Sequence, residues 1–146
     1  MIRTDKRLRL CCCLIAALLT FIWGNSLMPG WISQAISDWL AGLLLGTQPV
    51  GGEMAAGSGI LRKLAHFTEF LGLGMCLGWL SGMLRKGRIR PFLWGVLAAV
   101  MDETIQCFVP ERGPGIKDVC IDSAGVLAGI ILLWYGHHYF KKRSAN

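Results

Sequence analysis

Charge is what this chain has least of. Only 16% of its 146 residues are Asp, Glu, Lys or Arg, against about 25% in a soluble domain, while 53% are apolar. That deficit excludes an ordinary water-facing surface over most of the chain and points to lipid. Metal-type cysteine spacing is missing too. None of the six cysteines stands in a C-x-x-C or Cys/His arrangement, so zinc modules and disulfide frameworks are excluded. Cys11, Cys12 and Cys13 begin an apolar run and Cys76 lies within another, which suits small apolar fillers. Cys107 and Cys120, flanking a polar turn, are the one pair placed to approach each other. No small-x-small cleavage site follows the first apolar run, so it reads as a retained span and not a signal peptide. No internal repeat is evident, which argues against a transporter working by alternating access.

What the chain does have is long apolar runs. Residues 10–28, 64–84, 92–109 and 118–136 are each long enough to cross a bilayer. Pro29-Gly30 closes the first, and Pro91 opens the third at a position where a missing N–H costs nothing. Between the first two, residues 31–45 repeat with helical spacing. Trp31, Ile32, Ala35, Ile36, Trp39, Leu40, Leu43 and Leu44 form one face, with Ser33, Gln34, Ser37 and Asp38 opposite. Such a helix fits the plane of the membrane interface better than a crossing. Residues 46–59 read as a glycine-rich loop. The expected fold is therefore all-α: one integral membrane domain over 1–146, with four transmembrane helices and a short interfacial amphipathic helix. The nineteen glycines lack a collagen period and suit close helix packing, as in the doubled G-x-x-x-G of Gly74, Gly78 and Gly82. Those glycine-rich faces also offer a surface for a homo-oligomer.

The basic residues set an orientation. Eleven of fifteen lie in three segments: Arg3, Lys6, Arg7 and Arg9; Arg85, Lys86, Arg88 and Arg90; Lys141, Lys142 and Arg143. Alternating spans place all three on one side, which the positive-inside rule makes cytoplasmic, along with both termini. The net charge of +6 is then topology and contact with anionic lipid, and it gives no ground for a nucleic-acid partner.

With that orientation the remaining ionisable groups gather at the outer ends of the spans. Lys63, His66 and Glu69 fall in the second span. Asp102, Glu103 and Gln106 fall in the third, Arg112 in the turn at 110–115, and Asp118 and Asp122 in the fourth. At roughly 100° per residue, Asp118, Asp122, Gly125 and Gly129 share one stripe, so the acids lie over a surface where helices can touch. The eight apolar residues of the third span return about 4 kcal/mol on insertion, and two charged acids would about cancel that. This span needs polar partners. Asn25 and Ser26 sit where they can cap the cluster or satisfy the end of the first span.

The motifs K-x-x-H-F at 63–67, D-E-x-x-Q at 102–106 and R-x-x-x-x-x-D-V-x-x-D-x-x-G at 112–125 together resemble the VanZ-like family. Its members are small bacterial membrane proteins named for an accessory of low-level teicoplanin resistance. The resemblance implies the cytoplasmic membrane as location and the cell envelope as the place of action. It leaves molecular activity open. Two residues depart from the pattern: Asp122 stands where asparagine is usual, adding an acid, and Phe70 where tyrosine is frequent, removing a hydroxyl.

Three readings fit these residues. The first is an enzyme acting on a lipid-linked or cell-wall substrate. His66, Glu103, Asp118 and Asp122 would supply acid/base chemistry, Lys63 and Arg112 would hold the ligand's phosphate or carboxylate, and Gln106 and Asp102 would complete the ligand-binding set. The second is an accessory that binds or shields an envelope precursor without chemistry. The third is a purely structural polar lock. A divalent cation would suit the carboxylates, though no spacing demands one.

Overall fold

The computed structural model describes residues 2–50, 53–85, 87, 89–113 and 115–143. Of the basic residues used for orientation, Lys86 and Arg88 lie outside the described residues, as does Pro114 of the turn. Among the described residues there are five helices and no strand: α1 (Ile2–Ser26), α2 (Gly30–Leu45), α3 (Ser58–Met83), α4 (Ile89–Gln106) and α5 (Ile116–Arg143).

Each expected element is present, with shifted ends. Helix α1 starts eight residues before the apolar run, α3 starts six residues early, and α5 continues to Arg143. Hydropathy marks where a segment tolerates lipid; i→i−4 hydrogen bonding carries on through basic and polar residues that make good helix. Breaks fall where the backbone demands them. Pro29 (φ −51°, ψ 147°) stands between α1 and α2, and Gly46 at φ +68° closes α2 by donating its N–H to Gly42 O at 3.2 Å.

Among the described residues two helices are long and apolar enough to cross a membrane, α1 over Lys6–Ser26 and α5 over Ile116–Tyr139, where four were expected. The shortfall has a cause. Helix α4 has only 18 residues and carries Arg90, Asp102 and Glu103, while α3 is diluted by glycine and holds His66 and Glu69. Within the most apolar 18-residue window of each, only 11% and 28% is buried inside the molecule.

Packing centres on α3 and α5, the most extensive helix pair. They run parallel: Gly125 meets Phe67, Gly129 meets Leu71, and Gly74 meets Val126. A Cβ on Gly129 would collide with the Leu71 carbonyl oxygen, and one on Gly74 with that of Val126, so only glycine permits this approach. Gly78 is covered by Ile130 and Leu133 of the same chain, and Gly82 has nothing within 4 Å. The glycine face expected to serve a homo-oligomer is therefore largely used internally. Helix α1 runs antiparallel to α3, with Cys11 Sγ against Cys76 O (3.4 Å) and Asn25 against Glu69 (3.1 Å). Helix α4 lies beside α1, where Trp23 Nε1 donates to Ala98 O (3.5 Å). Ile22, Phe70, Leu73, Ala99 and Val126 fill the core between them.

Helix α2 is inside out by soluble standards. Trp31, Ile36, Trp39 and Leu43 are at least half exposed, whereas Ser37 is buried. Gln34 donates to Asp38 (2.8 Å) and to Ser58 Oγ at the start of α3 (3.0 Å), and Asp38 accepts the Ala55 N–H (3.0 Å). Desolvation pushes the Asp38 carboxyl up, but the hydrogen bonds from Ala55 and Gln34 outweigh it and hold its pKa below the ordinary value. The polar face docks on the bundle and the apolar face looks outward. All six cysteines are free, and Cys107 and Cys120 are exposed and unbridged.

Candidate functional site

The parallel and antiparallel pairings bring the C-terminal ends of α1 and α4 to the N-terminal ends of α3 and α5. The predicted polar residues meet at this end, in two differently finished groups.

The first group is fully engaged. Ser26 Oγ donates to Asp102 Oδ1 at 2.6 Å, and Gln106 Nε2 donates to Asp102 Oδ2 at 3.0 Å. Gln106 Nε2 also lies 3.3 Å from Ser26 Oγ and 3.3 Å from Glu103 Oε1. The other Glu103 oxygen accepts the Gly115 N–H at 2.9 Å, tying α4 to the start of α5. Ser26, Asp102, Glu103 and Gln106 are all buried. Buried polar groups are tolerated when their hydrogen bonds are met, and here they are.

Arg112, expected as an anion clamp, lines the cavity described below and is also tied into the same lock. Its Nε donates to Met28 O (3.2 Å), Nη2 to Asn25 O (2.9 Å) and Nη1 to Gln106 Oε1 (3.5 Å). The carbonyls at a helix C-terminus have no partner within the helix, and a cation is their natural cap. Burial, with Arg62 acting in the same sense, holds the Arg112 pKa below its ordinary value. Glu103 likewise has both oxygens bound to protein donors while it lines that cavity.

The second group is unfinished. His66 Nδ1 lies 3.9 Å from Asp102 Oδ2, too far for a hydrogen bond. His66 Nδ1, both carboxylate oxygens of Asp122 and Glu69 Oε2 are buried without a hydrogen-bond partner. Asp122 is 1% exposed. His66, Asp102 and Asp122 each offer an atom within 4.8 Å of the others, a spacing compatible with a shared cation.

A cavity of about 110 Å³ opens beside this second group. His66, Glu103, Gln106, Arg112, Asp118 and Asp122 line it together with Lys63 and Arg62. Seven of the eight predicted site residues thus share one cavity, and the eighth, Asp102, lies behind His66. Arg62 and Glu111 also line it and were not singled out in the sequence. Arg62 was detectable, since it stands four residues before His66 and so on the same helix face. A larger cavity of about 870 Å³ lies at the opposite end, between Arg7, Trp79, Leu133 and His138, and holds none of these residues.

The family model described as VanZ/LLP1 matches residues 10–137, which include every residue of this site. No curated protein and no solved structure matches the chain.

Proposed function

Because the chain belongs to the VanZ/LLP1 family, we propose that it is a bacterial cytoplasmic-membrane protein that binds an anionic group of a lipid-linked or cell-wall component. In this reading α1, α3, α4 and α5 all cross the bilayer as one domain, and α2 lies in the outer interface. Both termini are cytoplasmic, and the 110 Å³ cavity opens outward. The outward-facing tryptophans of α2 support the placement, as do Arg7, Arg9, Arg85, Arg90 and Arg143 at the far end of the bundle. Helices α3 and α4 tolerate His66, Glu69, Asp102 and Glu103 because those side chains gather at a single end.

The observation that carries the proposal is the cavity lining: Arg62 and Lys63 stand beside His66 at the mouth of a pocket with room for one phosphate or carboxylate. Lys63 is exposed, so its ammonium is available to a ligand, whereas Arg112 is partly engaged by the Asn25 and Met28 carbonyls. Held there, an envelope precursor would be shielded or altered, and the cell would gain tolerance to glycopeptides such as teicoplanin.

The test is teicoplanin susceptibility of a sensitive host expressing the wild type or an Arg62→Ala/Lys63→Ala double variant. At equal membrane abundance, the double variant is expected to lose the protection. Undiminished protection would remove the anion from the pocket.

A further inference from the structure

We propose that His66, Asp102 and Asp122 form a binding site for a first-row divalent cation of the zinc or manganese type. The inference extends the ligand reading above without depending on it.

Three observations converge. One nitrogen from α3 and one carboxylate oxygen each from α4 and α5 lie within 4.8 Å of one another, at the junction of three helices. An imidazole with two carboxylates suits zinc, manganese or iron(II) better than the all-oxygen shells of magnesium or calcium. Two ligands at about 2.0–2.2 Å from one ion stand roughly 3–3.5 Å apart, so the 3.9 Å between His66 Nδ1 and Asp102 Oδ2 must close by roughly half an ångström, and any pair as wide as 4.8 Å by more than about 1 Å, through side-chain rotation on loading.

The second observation is independent of the clustering. His66 Nδ1 and both Asp122 oxygens are buried and lack any hydrogen-bond partner, and Asp122 is 1% exposed. A buried carboxylate with no donor is among the costliest arrangements a protein can hold, and a cation between it and Asp102 removes that cost.

The third concerns the one ligand that is already positioned. Ser26 and Gln106 hold the two oxygens of Asp102, as outer partners commonly orient a ligating carboxylate. The fixed member is Asp102, and the two bare members face it. His66 and Asp122 also line the 110 Å³ cavity, so the remaining coordination positions of the ion would open toward Arg62 and Lys63. An anion drawn in by those cations could complete the coordination.

The full-length chain, purified in detergent and stripped with a chelator, is mixed with Zn²⁺ or Mn²⁺ and desalted. Retained metal is measured by elemental mass spectrometry, and the unfolding midpoint is followed in parallel. Stoichiometric retention of either ion with a raised midpoint is expected for the wild type and for Glu53→Gln, a remote acid change. His66→Ala and Asp122→Asn are expected to lose at least tenfold in affinity. Neither replaced group makes a hydrogen bond, so both variants should fold. A wild type that retains neither ion would overturn the site, as would Asp122→Asn retaining as much as wild type. The ligand reading would survive either result, because it stands or falls on the Arg62/Lys63 susceptibility assay.

Discussion

Two groups of buried polar side chains sit a few ångströms apart at one end of this bundle, and they are finished differently. Around Asp102, Ser26, Gln106, Glu103, Gly115 and Arg112 form a network in which each carboxylate oxygen has a donor. Around Asp122 and His66 the polar atoms have none. The same chemistry serves two ends. A satisfied buried network fixes where helices meet, whereas buried polar atoms without a protein partner call for a ligand, an ion or a proton to offset their burial. The contrast sorts the site residues better than residue type does, since both groups contain acids and a cationic or basic member.

Substitutions can break that contrast, and the largest effect is expected in the finished group. Asp102→Leu leaves the Ser26 hydroxyl and the Gln106 amide buried without their acceptor, at about 1–3 kcal/mol for each. A marked fall in unfolding midpoint and in membrane abundance should follow, measured by tryptophan fluorescence in detergent and by immunoblot. Arg112→Ala comes next. It uncaps the Asn25 and Met28 carbonyls and should lower stability by about 1–3 kcal/mol. If it instead removed glycopeptide tolerance with the midpoint unchanged, Arg112 would belong with the ligand and not with the lock. The smallest effect on stability is expected for Asp122→Asn, within about 1 kcal/mol of wild type, because no hydrogen bond is lost. A large destabilisation there would mean that Asp122 has a protein partner after all.

Much of this was legible in the sequence. Helical periodicity and punctuation by Pro29, Pro91 and Gly46 placed every element, and alternation of the spans put Lys63, His66, Asp102 and Asp122 at one end. What could not be read was pairing. Helix α5 follows α4 through a short turn, yet its main partner is α3, because the glycines that permit contact lie on the α3 and α5 faces. Periodicity gives the angle of a side chain about its own axis and says nothing of which neighbour fills the space. Arg112 illustrates the gap: an arginine in a Pro/Gly turn looks free in sequence, and only the return of α1 to that turn supplies the carbonyls that occupy it.

The parallel seam between α3 and α5 also dictates an order of events during synthesis. Helix α3 emerges more than thirty residues before Asp122 and the glycines it is to meet, so a growing chain presents His66 and Glu69 to its surroundings with that seam still open. In the four-span topology proposed above, those side chains need shelter until the last helix arrives.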